Sequence, residues 1–275
     1  MTMIKALFFD LDGTLLNTEK KISPMTRRAL EKCREKGAKL YVATARPPLL
    51  DRMLLWDDTT ISLFDGGVYH NGGCVVFEGN KIYTSISDRV VKKSIEYACQ
   101  CDGLNIALQL EGEDHAFRYP IDKGDHQIWG INDDKISILN QGASLNVVKI
   151  LIFRGNITDA NATPIDGELL KRLEDLCRNS AQLYLTDKGK CVQIMASSVS
   201  KLSGIEKIMA ALGYAKDEIA VFGDDVNDLE MLSAYPNSIA MGNADDFVKA
   251  RAGNITLGND RDGVAHAIQE ILQII

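Results

Sequence analysis

Short apolar runs alternate with amphipathic stretches along the first third of the chain. Apolar runs of this length are typical of buried strands, and amphipathic stretches that begin near a proline are typical of helices. The elements predicted in this way are a strand at 4–9, a helix from Pro24, a strand at 39–43, a helix after Pro47 and a strand at 61–64. Strands that alternate with helices predict a parallel sheet with right-handed crossovers.

The pattern changes after residue 86 and changes back near residue 200. In between, the predicted elements are helices at 88–101 and 166–179 and strands at 104–110, 135–139, 147–153, 182–186 and 191–195. Two helices with several strands at hairpin spacing predict a separate α+β unit. Residues 112–134 have no clear period and are assigned no element.

Alternating elements resume at Ser200. They are predicted as helices at 201–212, 226–235, 245–252 and 264–275, with strands at 218–222, 238–241 and 254–257. The chain is therefore predicted to form one α/β domain from residues 1–86 and 196–275, interrupted by a smaller domain at residues 87–195.

Composition narrows the expected partners. A length of 275 residues predicts about two domains. The 31 basic and 38 acidic side chains give a net charge of −7, which argues against binding nucleic acid through the overall field. The sequence has no apolar run long enough for a membrane span. Six cysteines without an export signal predict reduced thiols and a cytoplasmic protein.

Polar residues follow the first predicted strand, and ligands of open parallel sheets bind beyond the carboxyl ends of the strands. Asp10 and Asp12 lie two residues apart, so an extended backbone points both side chains the same way. Two close carboxylates repel each other unless a cation or a shared proton offsets them. A hard divalent ion such as Mg²⁺ suits these oxygen ligands, and Gly13 permits an unusual backbone angle.

Further polar groups are predicted at the same edge of the sheet. Thr44, Ala45 and Arg46 follow the second strand, where a hydroxyl and backbone N–H groups could hold an anion. Lys201 opens a helix, and residues 223–228 supply carboxylates and an amide after another strand. A lone Asp after a strand is commonly a turn residue, and a lone Lys is commonly a solvated charge. Their conjunction at one edge of the sheet favours a site.

These residues resemble the motifs of the haloacid dehalogenase (HAD) superfamily of phosphotransferases. Residues 10–15 look like its first motif, D-x-D-G-T-L, and residues 223–228 look like its fourth, G-D-x-x-N-D. Thr44 looks like the second motif and Lys201 like the third, although each of these is weak alone.

The insertion between the second and third motifs is similar to that of the Cof-type phosphatase subgroup with a large cap, and Asn71-Gly72-Gly73 lies shortly before it. Gly73 stands where the subgroup often has Ala, and Leu202 stands where Gly is common. The resemblance covers essentially the whole chain. It implies a Rossmann-like three-layer core with a parallel sheet, plus an inserted α+β cap domain.

The resemblance also implies a mechanism. The protein would be a Mg²⁺-dependent phosphatase that hydrolyses small phosphorylated metabolites, sugar phosphates among them, through an aspartyl-phosphate. Asp10 would attack phosphorus, and Asp12 would protonate the leaving oxygen and then accept a proton from water. Mg²⁺ would bind carboxylate oxygens of Asp10 and Asp224 and the backbone carbonyl of Asp12.

The same resemblance implies the remaining roles. Thr44 and Lys201 would act in catalysis by holding the phosphoryl oxygens, and Asp228 would orient Lys201 or a metal-bound water. The other expected phosphate or substrate contacts are the backbone at Leu11 and Ala45 and the side chains of Arg46 and Asn227. Cap residues that could set specificity are His115, Arg118, Tyr119, His126 and Trp129.

Two alternatives stay open at this point. A phosphomutase of the phosphomannomutase-like type would use the same paired acids. A non-catalytic phosphometabolite-binding protein would need no turnover, although both acids are present. The expected partner is a small phosphorylated metabolite, with no nucleic acid and no membrane, and the sequence does not indicate the oligomeric state.

Overall fold

The protein consists of two compact units. The computed structural model describes residues 3–139, 146–155 and 163–275. The first unit comprises Met1–Ile82 and Ser200–Ile275, and the second comprises Tyr83–Val199. The predicted α/β class, with a mainly parallel sheet and a second domain inserted into the chain, is confirmed.

The helices and strands are as follows, in chain order. Before and at the insertion these are β1 (Ala6–Phe9), α1 (Pro24–Glu35), β2 (Lys39–Ala43), α2 (Leu50–Met53), α3 (Asp58–Ile61), β3 (Gly66–Tyr69), β4 (Cys74–Phe77) and β5 (Asn80–Tyr83). The second unit has α4 (Asp88–Cys99), β6 (Leu104–Leu110), β7 (His115–Phe117), α5 (His126–Trp129), β8 (Ile136–Ile138), β9 (Val147–Arg154), α6 (Gly167–Cys177), β10 (Ala181–Thr186) and β11 (Cys191–Ala196). The chain then continues with α7 (Lys201–Leu212), β12 (Ile219–Gly223), α8 (Leu229–Ala234), β13 (Asn237–Ala240), α9 (Asp246–Lys249), β14 (Asn254–Ile255), α10 (Gly263–His266) and a π-helical turn, Ala267–Ile271.

The sheet of the first unit has β1 at its centre. Its order is β14-β13-β12-β1-β2-β3-β4-β5, and the strands from β14 to β3 are parallel. Phe9 packs into a buried cluster that includes Leu30 of α1, whereas Phe8 packs into one that includes Ile205 of α7. Helices therefore cover both faces, which explains why β1 is a continuous apolar run.

The helix that carries Lys201 begins at a well-formed cap. The Ser200 hydroxyl accepts a hydrogen bond from the backbone N–H of Ser203, and the Ser203 hydroxyl accepts one from the N–H of Ser200. These reciprocal bonds satisfy N–H groups that a helix start leaves without partners. The helix ends at Gly213 in the left-handed conformation, with φ at 68°. Lys201 is thus fixed in the first turn.

The second unit has its own sheet and its own core. The order is β10-β11-β9-β6-β7-β8, and most neighbours are antiparallel, with β7 and β8 as a parallel pair. One face packs against α4 and α6 through a cluster that includes Ile106, Ile150 and Leu173. The strands at hairpin spacing therefore form an α+β unit, as their pattern predicts.

Some sequence-based elements are wrong. The strand predicted at 61–64 is instead the end of α3 and the turn after it, and the strand lies at Gly66–Tyr69. The carboxylate of Asp57 starts α3 by accepting a hydrogen bond from the Thr60 N–H. Two glycines open β3, so the strand has no hydrophobic signal there. Both are needed, because a Cβ at Gly66 would lie 2.2 Å from the Val76 carbonyl oxygen and one at Gly67 would lie 2.4 Å from Cγ2 of Val42.

The region assigned no element, residues 112–134, contains β7 and α5.

Within the described residues, no helix is both long enough and apolar enough to cross a bilayer. All six cysteines lie in the described residues, and none of them forms a disulfide.

Candidate active site

Asp10 lies at the carboxyl end of the central strand. Its backbone N–H donates to the carbonyl of Phe222 at 3.0 Å, which continues the pairing between β1 and β12. The residues that follow both strands are thereby brought together. Gly13 has φ at +85°, and a Cβ on it would lie 2.2 Å from Oδ2 of Asp224. Only glycine fits here, because the loop after β1 passes directly against the acidic loop after β12.

Lys201 bridges two buried carboxylates. Its Nζ lies 2.6 Å from Oδ1 of Asp10 and 2.6 Å from Oδ1 of Asp228, and its side chain is 1 % exposed. Burial alone would lower the pKa of the lysine, but the two carboxylates raise it, so the ammonium stays charged. Burial raises the pKa of Asp10 well above its usual range, and the nearby Asp228 adds to this while Lys201 opposes it.

Asp228 holds the acidic loop in shape. While its Oδ1 faces Lys201, its Oδ2 accepts hydrogen bonds from the backbone N–H groups of Asp224 at 2.9 Å and Asp225 at 3.1 Å. The carboxylate packs so closely that a Cβ at Gly223 would lie 2.5 Å from its Cβ. Both oxygens are therefore engaged within the protein, which suits an orienting role.

Three acids form a group that could hold a metal ion. Asp10, Asp224 and Asp228 each offer a carboxylate oxygen, and these atoms all lie within 4.8 Å of one another. Burial and the neighbouring Asp228 raise the pKa of Asp224 to about 7, although the Thr14 hydroxyl donates to its Oδ1 at 2.7 Å. Three carboxylates beside one lysine leave negative charge uncompensated, and hard oxygen ligands match Mg²⁺. The donor set therefore fits a divalent ion.

The Asp12 side chain is not part of this group. Arg46 binds it with two hydrogen bonds, Nε to Oδ2 at 2.6 Å and Nη2 to Oδ1 at 2.7 Å, and the Lys20 ammonium lies 2.7 Å from Oδ1. Burial would raise the pKa of Asp12, but these cations outweigh burial and hold it at about 2. The two acids of the first motif thus have opposite pKa shifts, which is typical of carboxylates with different tasks.

The loop after β2 is fixed by its backbone. Thr44 is buried, and its hydroxyl accepts a hydrogen bond from the Arg46 N–H at 3.1 Å. The Thr44 carbonyl accepts from the N–H of Asn71 at 3.0 Å, and the Arg46 carbonyl accepts from the N–H of His70 at 2.9 Å. Asn227 reaches the same turn, because its Nδ2 donates to Oδ1 of Asn71 at 3.0 Å.

Comparison with known proteins places the chain in a family. Residues 7–268 match the haloacid dehalogenase-like hydrolases. The chain belongs to this family. Two relatives from Bacillus subtilis (strain 168), YcsE and YwtE, are both named 5-amino-6-(5-phospho-D-ribitylamino)uracil phosphatase. YcsE is 27 % identical over 97 % of this chain and 95 % of its own length, and YwtE is 28 % identical over 98 % of each.

A solved structure supports the same conclusion. The HAD subclass IIB sugar phosphatase BT4131 is 26 % identical and has a TM-score of 0.78, with coverage of 98 % of this chain and 100 % of that one. These matches confirm the predicted enzyme class, a HAD-type phosphatase.

Two residues that the sequence did not single out contact the loop after β1. Lys20 reaches Asp12 from a turn closed by Asn17, and nothing in its spacing marks it. Asn243 donates through Nδ2 to the carbonyl of Gly13 at 2.9 Å. Its signal was available, because it follows β13 at the same edge of the sheet as Asp224.

One expected contact, Leu11, and one cap candidate, Arg118, have restricted roles. The side chain of Leu11 is fully buried in the core, so only its backbone could meet a ligand. In the second unit, the Arg118 guanidinium donates to backbone carbonyls of Ala98, Cys99, Cys101 and Leu104. Arg118 therefore has a structural role there. His115 and Trp129 are buried among aromatic rings, whereas Tyr119 is 42 % exposed.

Proposed function

We propose that this HAD-type phosphatase is Mg²⁺-dependent and hydrolyses small phosphorylated metabolites through an aspartyl-phosphate on Asp10. The observation that carries the proposal is the position of the Asp10 carboxylate. It is buried at the end of the central strand, 2.6 Å from Lys201, with Asp224 and Asp228 carboxylate oxygens within 4.8 Å. Burial shields this carboxylate from water, while the Lys201 ammonium and a bound divalent ion would supply the positive charge that keeps it ionised as a nucleophile toward phosphate.

In the proposed reaction, a carboxylate oxygen of Asp10 forms a bond to phosphorus as the bond to the leaving oxygen breaks. Asp12 must first be released by Arg46 and Lys20 and take up a proton, which it then gives to the leaving oxygen. Water then attacks phosphorus, Asp12 takes the proton of that water, and inorganic phosphate and free Asp10 result. Ionised Asp12, with its lowered pKa, suits this second step.

Carboxylates of Asp10 and Asp224 and the backbone carbonyl of Asp12 would hold the Mg²⁺ ion. When bound, the ion supplies positive charge that lets an anionic nucleophile approach an anionic phosphate. Asp228 would act as a positioning residue, because both of its oxygens are bonded within the protein. Lys201 and the Thr44 hydroxyl would hold phosphoryl oxygens.

Arg46, Asn227 and the backbone at Leu11 and Ala45 are the further contacts we propose for the phosphate or the substrate. Support for Arg46 and Asn227 comes from their position beside Asp12 and Asn71, respectively. We also propose that the second unit, predicted from the sequence at 87–195, acts as a cap that selects the substrate. The cysteines of both units form no disulfide, which fits the proposed location in the cytoplasm.

The test is a phosphate-release screen with Mg²⁺. The panel contains sugar phosphates and 5-amino-6-(5-phospho-D-ribitylamino)uracil, since the relatives above are named for these substrate classes. We expect release from at least one of them and none from Asp10→Asn, which preserves shape but removes the nucleophile. An isomeric sugar phosphate without release would indicate a phosphomutase. Undiminished release by Asp10→Asn would exclude Asp10 as the nucleophile, and binding without turnover would favour a non-catalytic protein.

A further inference from the structure

The turn after β3 carries two strained residues. His70 has φ at 51° and Asn71 has φ at 54°, and both are buried. Residues other than glycine rarely adopt this left-handed conformation, although Asn tolerates it best. Two in succession persist only where surrounding contacts over-determine the backbone, and such strain concentrates at functional sites. We name His70–Gly72 the strained turn.

The strained turn contacts the segments that the proposed function assigns to phosphate. Its backbone N–H groups bind the carbonyls of Thr44 and Arg46. The Asn71 side chain accepts the hydrogen bond from Asn227. Gly72 packs against the residue before Lys201, because a Cβ on it would lie 2.2 Å from the Ser200 carbonyl oxygen. Segments far apart in the sequence thus meet on one short turn.

The backbone bond to Thr44 has a directional consequence. A trans peptide is planar, and its carbonyl and N–H point in opposite directions. Because the Thr44 carbonyl points at Asn71, the N–H of Ala45 in the same peptide points away from the strained turn. The turn therefore fixes the direction of a proposed phosphate donor, and Asn71 also fixes which way the Asn227 amide points.

We propose that Asn71 is a positioning residue for the phosphate of the substrate, acting through Asn227 and through the backbone of Thr44 and Ala45. The inference rests on the proposed function, which assigns phosphate contacts to Asn227 and Ala45. The left-handed backbone holds the Asn71 carboxamide where Asn227 can donate to it. A relaxed backbone at Asn71 would no longer hold the Asn227 amide and the Ala45 N–H in the orientation that binds phosphate, and this is why the strain is retained.

The test variant is Asn71→Gly. Glycine adopts the left-handed conformation without strain, so the backbone persists while the carboxamide is lost. We expect the KM for substrate and the inhibition constant for inorganic phosphate to rise about tenfold, with a smaller change in kcat, because the lost orientation affects a phosphate that is bound throughout the reaction. Equal phosphate inhibition in variant and wild type would overturn the proposal.

The matched control is Glu78→Gly. Glu78 also has a left-handed backbone, with φ at 48°, but it is exposed in the turn between β4 and β5. We expect its KM and phosphate inhibition to match those of the wild type. If the control lost phosphate affinity as Asn71→Gly does, relief of backbone strain would explain both, and the positioning role would be wrong.

A double-mutant cycle with Asn227→Ala tests the route of action. If Asn71 acts through Asn227, Asn71→Gly weakens phosphate binding far less in the Asn227→Ala background than in the wild type. If the double variant instead loses the product of the two single losses, the two residues act independently and this route is wrong. If Asn71→Gly is too unstable for kinetics, phosphate binding can be compared by thermal unfolding, as the rise in the unfolding temperature on adding Mg²⁺ and inorganic phosphate. A rise in the variant equal to that in the wild type would overturn the proposal. An inactive wild-type enzyme would refute the proposed function itself, whereas an active wild type with an unaffected variant refutes only the role of Asn71.

Discussion

Replacing Lys201 with Met should destabilise the first unit strongly. Methionine is similar in length and fills the same space, so the change removes charge and hydrogen bonds while keeping most of the packing. The lysine side chain is 1 % exposed and lies 2.6 Å from both Asp10 and Asp228, whose side chains are 8 % and 0 % exposed. Without it, buried carboxylates face one another with no cation between them.

The magnitude follows from that burial. Removing one partner of a buried ion pair costs about 3–5 kcal/mol, because the other charge stays desolvated. For a folding unit of this size, about 1 kcal/mol lowers the unfolding midpoint by roughly 2–4 °C, so we expect a decrease of about 6–20 °C. Lys207 lies on the exposed side of the same helix, and Lys207→Met should cost less than about 1 kcal/mol.

The assay is thermal unfolding in EDTA, to exclude divalent ions, at several pH values. In Lys201→Met, the pKa of Asp10 should rise further than burial already raises it. A carboxyl with a raised pKa binds more protons in the folded state than in the unfolded state. The destabilisation should therefore be largest at alkaline pH, where the buried carboxyl must be ionised, and diminish as the pH falls toward the ordinary carboxyl pKa of about 4. A decrease of less than about 2 °C at pH 8 would refute the reasoning, since a buried pair cannot be so weak.

Other predictions concern single groups of the first unit. Asp12→Asn should slow turnover strongly for an alkyl phosphate but much less for p-nitrophenyl phosphate, whose leaving group needs no proton; equal losses would contradict the acid role. Gly13→Ala should raise the Mg²⁺ concentration for half-maximal activity, because its Cβ would displace the Asp224 carboxylate; an unchanged requirement would show that Asp224 is not a ligand. Hydrogen bonds from Thr60 lower the pKa of Asp57 to about 2, so the difference in unfolding midpoint between wild type and Asp57→Ala should be full above about pH 4 and vanish as the pH falls toward about 2. A difference that grew in acid would contradict this sign.

The sequence predicted the parts of the site that directly follow apolar strands. Asp10 and the loop that begins at Asp224 follow apolar strands. Such strands can be recognised in the sequence as short apolar runs between amphipathic helices. Because both strands belong to one parallel sheet, their carboxyl ends lie at the same edge, and the structure adds that the two strands are direct neighbours. The residues placed Lys201 near the same edge of the sheet, and the resemblance assigned it to phosphoryl oxygens and to Asp228, but neither predicted its bond to Asp10.

The unpredicted parts depend on side-chain rotamers and on glycine. The Asp12 carboxylate pairs with Arg46 and Lys20 and points away from the other acids, and the spacing of these residues in the sequence does not predict this. The strand β3 escaped detection because Gly66 and Gly67 carry no side chains to form a pattern. The strained backbone at Asn71 was equally hidden, since it arises from contacts with segments distant in the chain.

The pairing of β1 with β12 has a consequence for synthesis on the ribosome. Ala6 of β1 pairs with Ile219 of β12, so β1 cannot form this pairing until most of the chain has been translated. At about 5–20 residues per second, translating the roughly 200 residues between them takes about 10–40 s. Throughout that interval one edge of an apolar strand is open to other nascent chains. The second unit, which is contiguous, can complete its own sheet first, and we expect chaperone binding to concentrate on the early N-terminal segment.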